Sequence, residues 1–391
     1  MVQLDRFEIV FNNPEEAFFA GQEISGKIII ENKEGKKVNE ILLEIKGRAR
    51  TYWTKHSEQL NTGYTQNFKE EGQKERILPA GHHEIPFSYT LPKTLPTSFE
   101  GEFGHVRFTC KATCERPWDF DIVTKKAFTV IGIEDINADA KLNEPSSTSE
   151  SDHAVQFCCR SSGSISGELK VRKTGYTPGE KIFASYKAKT FAGTEHAKTI
   201  RRIIDKIDRE DVPPRFSTEW IDQEITIPSL CPRLGKCKIL SVSYAVELEV
   251  EKSLTVPLPI VLGSIPQLSQ ILAHSKQNSN NGHMKSSIKD SPPPKSDEMK
   301  DDSCVQVRIT DETGHLVEEL SGEMDALLSA RKRVRMPSSI LSELYPAMPS
   351  PYYKESFFGP SSIIDEKENI QFGDTTFAPK YPFYSEEIET T

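Results

Sequence analysis

The chain has 391 residues, enough for two domains of about 100–150 residues plus additional sequence. Apolar residues make up 36% and charged residues 27%, and 49 Lys and Arg against 58 Asp and Glu give a net charge of −9. This acidic balance argues against a protein whose whole surface coats nucleic acid or anionic lipid, and leaves room only for a local basic patch.

The N-terminus and the cysteine content indicate the compartment. Asp5, Arg6 and Glu8 stand where a signal peptide needs an apolar run, and no stretch approaches the ~20 apolar residues of a membrane span. The seven cysteines are an odd number, and no Asn-x-Ser/Thr acceptor occurs. These features predict a soluble cytoplasmic protein with free thiols.

Up to about residue 266, apolar residues recur with a period of two. The clearest runs are 7–11, 24–30, 41–45, 85–91, 106–112, 182–188, 240–250 and 254–260. Side chains of a strand point alternately to opposite faces, and Gly, Pro and Asn separate the runs, so each run predicts a short strand with one buried face. The expected class is all-β, with antiparallel β-sandwiches.

The strand pattern restarts after a polar stretch, which indicates two similar sandwiches in tandem. Residues 19–24 and 177–182 share a turn glycine, a polar step and a strand-opening isoleucine, at an offset of 158 between Gly21 and Gly179. We therefore predict an N-terminal domain over 1–136, a linker over 137–153, a second domain over 154–266 and a disordered tail over 267–391.

One segment of the second domain departs from this pattern. Between residues 196 and 211, Ile200, Ile203, Ile204 and Ile207 follow helical spacing, with basic residues elsewhere on the turn. The spacing predicts a helix that replaces strands. This helix either packs on the domain or presents a basic face to lipid or to a partner.

The tail is polar and rich in proline, so it buries too little area to offset the entropy of the chain. Residues 305–329 contain some apolar residues and predict a transient helix. The basic run from Arg331 to Arg335 is either a solvated charge cluster or a patch for nuclear import or phosphoinositide head groups.

A search for catalytic or metal-binding residues indicates a protein that is not an enzyme and needs no cofactor or metal. Cys110 and Cys114 are about 13 Å apart on a strand at ~3.3 Å per residue, too far to share one metal. The adjacent pairs Cys158-Cys159 and His82-His83 would face opposite ways, and no metalloprotease, nucleophile-elbow, P-loop or dinucleotide motif occurs. Sites assembled from distant residues stay open, because sequence order does not reveal them.

Two tail segments combine proline with tyrosine. Residues 348–356 and 377–384 each place a tyrosine two residues after a proline, as Pro351 with Tyr353 and Pro379 with Tyr381. Proline favours the polyproline II conformation that WW domains bind in an aromatic groove. The alternative is that these prolines and aromatics punctuate a loop or cover part of a sandwich surface.

Several motifs resemble the α-arrestin family of arrestin domain-containing proteins. The similar stretches are 87–92, 95–101, 116–121, 125–130, 175–180, 227–228 and 262–266. The resemblance implies two arrestin-type β-sandwiches in a non-enzymatic trafficking adaptor. Members of this family bind the WW domains of HECT-type ubiquitin ligases through tail PPxY motifs, and present membrane receptors or transporters for ubiquitination, endocytosis and sorting at plasma membrane and endosomes.

The chain departs from the family in three places. Ser350 and Ala378 replace the first proline of PPxY, so the sites at Pro351, Tyr353, Pro379 and Tyr381 are degenerate. The second domain is short near 189–216, and no cysteine stands near Phe216, where thioredoxin binding would need one. An alternative function is therefore an arrestin-fold scaffold or retromer-type sorting subunit that recruits no ligase.

Overall fold

The computed structural model describes both halves of the chain and a separate C-terminal stretch. The described residues are 4–53, 56–62, 66–69, 76–117, 119–153, 164–180, 185–191, 197–208, 220, 224, 226–250, 254–272, 306–310, 316–320, 351–364 and 369–384. Strands form nearly all the regular structure within these ranges, so the predicted all-β class is confirmed.

The first half of the chain forms a sandwich of two main sheets. Its strands are β1 (Arg6–Phe11), β2 (Ala17–Phe19), β3 (Glu23–Asn32), β4 (Lys36–Val38), β5 (Glu40–Trp53), β6 (His56–Thr62), β7 (Gln66–Lys69), β8 (Arg76–Leu78), β9 (Gly81–Thr90), β10 (Phe99–Gly101), β11 (Gly104–Glu115) and β12 (Ile122–Ile131). One sheet has the order β1-β3-β9 and the other β2-β12-β11-β5-β6, with β10 beside β11 and β4 paired with β8.

The period of two explains the core of this sandwich. Ile24, Ile28 and Ile30 of β3 are at most 2% exposed, and Phe108 and Cys110 of β11 face them from the other sheet as part of one apolar cluster. Ser25 and Lys27 of β3 and Thr109 of β11, which alternate with these residues, are only partly buried, as alternation in a strand with one buried face requires.

The second half forms a smaller sandwich. Its strands are β13 (Ser146–His153), β14 (Ser164–Val171), β15 (Gly175–Tyr176), β16 (Ser185–Phe191), β17 (Ala197–Ile203), β18 (Leu240–Val250) and β19 (Leu254–Leu262). The main sheet has the order β15-β19-β18-β16-β17, and the β13–β14 hairpin packs against β19. Alternate residues of β19, from Leu254 to Ile260, are buried as predicted.

Two predicted boundaries of the second domain need correction. Ala197–Ile203, predicted as a helix, form β17 and pair antiparallel with β16; isoleucine is β-branched and favours strands where a partner is available. Ser146–His153, predicted as linker, form β13 and pair with β14. The connection between the domains is reduced to two short 3-10 helices, Ile136–Ala138 and Ala140–Asn143.

The shared sequence phrase has the same position in both domains. β2, which precedes Gly21, pairs parallel with β12, and β15, which precedes Gly179, pairs parallel with β19. Both glycines have positive φ, 88° and 98°, a conformation that favours glycine. The predicted tandem of two similar sandwiches is therefore confirmed, although these short edge pairs are parallel.

The tail holds more structure than its composition predicts. β20 (Gln306–Thr310) and β21 (Leu316–Leu320) extend from β7 where a transient helix was expected. They are followed by β22 (Tyr352–Glu355), β23 (Ser361–Ser362), β24 (Phe372–Gly373), β25 (Thr376–Phe377) and β26 (Lys380–Phe383). The expectation of disorder is wrong for residues 351–364 and 369–384, which we call the C-terminal segment.

Residues 268–272 form a helical turn after the second sandwich. Within the described residues, no helix has the length and apolar character needed to cross a bilayer.

Candidate partner-binding segment

The two predicted Pro-x-Tyr sites lie side by side in the C-terminal segment. β22 and β26 pair antiparallel, with Tyr353 opposite Pro382 and Lys354 opposite Tyr381. The two sites are far apart in sequence, and nothing in either motif predicts that they pair. The two tyrosines therefore lie in one two-stranded ribbon, and Pro351 and Pro379 each directly precede one of its strands.

Tyr381 is buried where the two domains meet. Its side chain is 1% exposed, and its hydroxyl donates a hydrogen bond to the carbonyl oxygen of Ser98 at 3.0 Å. The Ser98 main-chain N–H donates to Val130 on β12 at 2.8 Å, which fixes that carbonyl. The thiol of Cys231, from the second domain, lies 3.7 Å from the same oxygen. Burial raises the pKa of Tyr381 far above its usual value, so the hydroxyl stays protonated as the donor.

Pro379 is buried as well. Its carbonyl oxygen accepts a hydrogen bond from the Ser356 N–H at 2.7 Å, and the N–H of the next residue, Lys380, donates to the Thr129 hydroxyl at 3.0 Å. The second Pro-x-Tyr site is therefore packed against β12 and has no free face for a partner.

The first site is more open. Pro351 and Tyr353 are half-buried, and Tyr352 between them is 66% exposed. The ring of Tyr353 packs against a small apolar cluster that includes Phe19 and Ile265. Burial, with a smaller effect of the Glu15 charge, raises the pKa of Tyr353 to about 12.

The middle of the C-terminal segment is anchored on the outer edge of β12. β24 pairs parallel with β12, the Asp374 N–H donates to the Lys125 carbonyl at 2.8 Å, and the Gln371 side chain accepts from the Val123 N–H at 2.8 Å. Gly373 has a φ of 99°, and a Cβ atom there would overlap the Lys125 carbonyl oxygen. Only glycine fits this approach.

A buried ion pair anchors the segment at β23. Glu100, whose side chain is 5% exposed, accepts two hydrogen bonds from Arg107, each 2.7 Å, and a third from the Ser361 hydroxyl at 2.7 Å. Arg107 also donates to the Ser362 carbonyl at 3.2 Å. The pairing of Arg with a carboxylate through two bonds is strong and directional, so Ser361 meets a rigid acceptor.

The ends of the segment contact the second domain. The Ser229 hydroxyl donates to the Lys354 carbonyl at 2.7 Å. The Tyr384 N–H donates to Pro178 at 3.0 Å, and its hydroxyl donates to the Ser264 carbonyl at 3.1 Å. The segment therefore bonds to both sandwiches.

Among the other candidate residues, the structure describes Cys110, Cys114 and His82. Cys110 and Cys114 are fully buried in the first core, and burial raises the pKa of both thiols, that of Cys114 to about 11. A raised thiol pKa lowers nucleophilicity at neutral pH. His82 is exposed between Glu31 and Glu84, at 3.1 and 3.2 Å, and hydrogen bonds to these carboxylates raise its pKa.

Several residues named from the sequence lie outside the part of the chain that the structure describes. They are Cys158, Cys159, the run from Arg331 to Arg335, Phe216 and Ser350.

The residues that hold the segment were missed at the level of sequence. Ser98 and Glu100 belong to the motif at 95–101, but nothing in the motif shows what they bind. The available signal was the apolar content after residue 351, since Ile363 and Phe383 are both buried.

The chain is similar to known arrestin domains in both halves. Residues 7–137 match the arrestin (or S-antigen) N-terminal domain, and residues 183–267 match the arrestin (or S-antigen) C-terminal domain. Arrestin domain-containing protein 17 of Caenorhabditis elegans is 66% identical over 430 residues, covering 99% of this chain and all of that protein. The chain belongs to the α-arrestin family.

More distant human relatives are arrestin domain-containing protein 4 and the thioredoxin-interacting protein. Arrestin domain-containing protein 4 is 25% identical in an alignment that covers 66% of this chain and 71% of the human protein. The thioredoxin-interacting protein is 23% identical, and that alignment covers 90% of this chain and 96% of the human protein. The resemblance inferred from the motifs is thereby confirmed for this α-arrestin.

The alignment with the nematode relative is longer than this α-arrestin by 430 − 391 = 39 residues, so the relative contains segments that this chain lacks. Whether these account for the predicted shortening near 189–216 stays a prediction, because residues 192–196 and 209–219 lie outside the described part of the chain.

Proposed function

We propose that this α-arrestin is a non-enzymatic adaptor that links membrane cargo to HECT-type ubiquitin ligases for ubiquitination, endocytosis and sorting. The observation that carries the proposal is the combination of two arrestin domains with two Pro-x-Tyr sites in one C-terminal segment. The protein works in the cytoplasm and is recruited peripherally to plasma membrane and endosomes, where receptors or transporters are the cargo.

The ligase-binding residues in this proposal are Pro351 with Tyr353 and Pro379 with Tyr381. Proline reduces the ordering cost of binding, and tyrosine adds a stiff ring with a hydroxyl group. Each site lacks the first proline of PPxY, which costs on the order of 1–2 kcal/mol, roughly a tenfold loss of affinity. Two weak sites in one chain recover affinity against a ligase with several WW domains if both engage together.

The test is binding of peptides spanning 346–358 and 374–386 to an array of WW domains. The matched controls carry Tyr353→Ala and Tyr381→Ala. Selective binding by the unchanged peptides supports the proposal, and equal binding by the controls removes its ligase-recruiting half.

Burial of the second site favours a second candidate function. Pro379 is buried and Tyr381 packs where the two domains meet, as expected of a scaffold or retromer-type sorting subunit that recruits no ligase. Affinity purification distinguishes the two functions. Recovery of sorting components, with cargo ubiquitination unchanged by Tyr353→Ala, supports the scaffold.

A further inference from the structure

We infer that the C-terminal segment is a releasable clasp: attached, it ties the two arrestin domains together and withholds both Pro-x-Tyr sites from WW domains, and detached, it presents them. This inference rests on the proposed function and adds the regulation of the same site.

The first step is that the attached ribbon cannot fill a WW groove with its second site. A WW groove contacts the faces of a proline and a tyrosine, whereas Pro379 is buried and Tyr381 is 1% exposed. The Tyr381 hydroxyl is already bonded to Ser98. Binding at this site therefore requires β26 to leave the body.

The second step is that the two sites are coupled. β22 pairs with β26 along its whole length, and Tyr353 lies opposite Pro382. When β26 leaves, β22 loses its only strand partner among the described residues. We then expect β22 to detach as well, and with it Tyr353 from its contact with Phe19. Release thus makes both sites available in one event, as binding to a ligase with several WW domains needs.

The third step is that the attachment spans both domains through polar anchors. Ser361 binds Glu100 in the first domain, and Tyr384 binds Ser264 at the end of the second. Most of the anchors are single hydrogen bonds to main-chain groups, and these groups can bond to water after release. An attached segment with such anchors is suited to an equilibrium between two states rather than to permanent burial.

The expected consequence is a population penalty on binding. When only a fraction of molecules is competent, the apparent dissociation constant rises by the inverse of that fraction. We expect the full chain to bind WW domains at least about tenfold more weakly than the isolated peptides do.

The experiment uses two full-length double variants that leave both Pro-x-Tyr sites intact. Gly373→Val with Ser361→Asp blocks the close approach to Lys125 and places a carboxylate against Glu100, so it releases the clasp. The matched control is Gly359→Asn with Ser362→Asp. Gly359 has open space around a Cβ atom and a φ of 73° that asparagine tolerates, and the Ser362 side chain is exposed.

Two measurements are made on each chain: affinity for an immobilised tandem WW domain, and amide hydrogen exchange of residues 351–384 with β11 and β12 as the folding control. We expect the release variant to exchange rapidly only in the segment and to bind about as tightly as the peptides. The control should resemble the unchanged chain in both measurements.

The outcomes separate this inference from the proposed function. If the peptides bind and the unchanged full chain binds equally well, or if release leaves the affinity unchanged, the clasp does not gate binding and the adaptor proposal stands. If the peptides bind no better than their Tyr→Ala controls, the adaptor proposal fails and the gate fails with it.

Discussion

Pro351, directly before β22, and Tyr353 on β22 each have part of the side chain in solvent. Pro379, directly before β26, and Tyr381 on β26 are spaced in the same way but are buried. The difference comes from the surfaces beneath them. Tyr381 enters the junction beside Ser98, while Tyr353 rests on a small cluster at its rim. Identical short motifs can therefore have a ligand-like exposure in one place and a core-like burial in another.

Truncating each tyrosine in turn tests whether the difference in burial has an energetic consequence. Tyr381→Ala removes a fully buried aromatic side chain and its hydrogen bond to the Ser98 carbonyl, so we expect the attachment to weaken by about 3–5 kcal/mol. Tyr353→Ala removes a half-buried ring and should cost about 1–2 kcal/mol. Hydrogen exchange of the segment measures both, and equal losses would mean that the burial difference has no energetic consequence.

A second prediction concerns the anchor at β23. Ser361→Asp removes a hydrogen bond to the buried Glu100 and adds a like charge beside it. A hydrogen bond to a charged group contributes about 1.5–3 kcal/mol, so we expect a loss in that range. Protease sensitivity of the C-terminal segment measures this loss. Ser362→Asp, one residue away and exposed, is the matched control and should change that sensitivity very little.

A third prediction uses pH to weaken the β10–β11 pair, which carries Glu100. His105 lies opposite Glu100 in the β10–β11 pair, and burial together with positive charges lowers its pKa to about 3. The charges that face it belong to Arg107, Arg50, Arg48 and Lys125. A histidine with a lowered folded pKa binds fewer protons when folded, so its contribution to stability is present above about pH 6.5 and is lost as pH falls towards 3.

By pH 5 this loss amounts to about 2 kcal/mol, because one pKa unit corresponds to about 1.36 kcal/mol. Urea unfolding of the full chain at pH 7 and pH 5 measures it. His105→Gln should flatten the dependence between these pH values, and an unchanged slope in that variant would assign the acid sensitivity to other groups.

Particular residues show what the sequence could and could not predict. The alternation from Ile24 to Ile30 fixed a strand and its buried face, and the matching turns at Gly21 and Gly179 revealed the tandem domains. Such patterns are local, so they survive without knowledge of neighbours. The helical spacing of Ile200 and Ile203 was misleading because β16 supplies a strand partner that a local pattern cannot reveal.

The sequence predicts the candidate residues but not their environment. Pro351, Tyr353, Pro379 and Tyr381 were identified by spacing alone. Their mutual pairing, and the contact of Tyr381 with Ser98 from a distant part of the chain, depend on tertiary structure. Composition predicted disorder for the C-terminal segment because the average over a long polar tail hides a few apolar residues. Ile363 is one of them, and its burial stabilises the folded segment.

The smallest expected effect tests the edge of the clasp at β24. Asp374 accepts a hydrogen bond from the Ala127 N–H at 3.2 Å, but its partial burial raises the pKa of the carboxyl, so desolvation outweighs that bond. A carboxyl with a raised folded pKa favours the attached state when protonated, and this contribution is lost as pH rises through the folded pKa.

Asp374→Asn keeps an oxygen that can accept from Ala127 and removes the charge. We expect it to strengthen attachment at pH 7 by less than about 1 kcal/mol, seen as slower amide exchange in residues 369–376, with the difference from the unchanged chain shrinking as pH falls to 4. Faster amide exchange at pH 7 in the variant would contradict this prediction, because it would show that the charge of Asp374 stabilises the attached state.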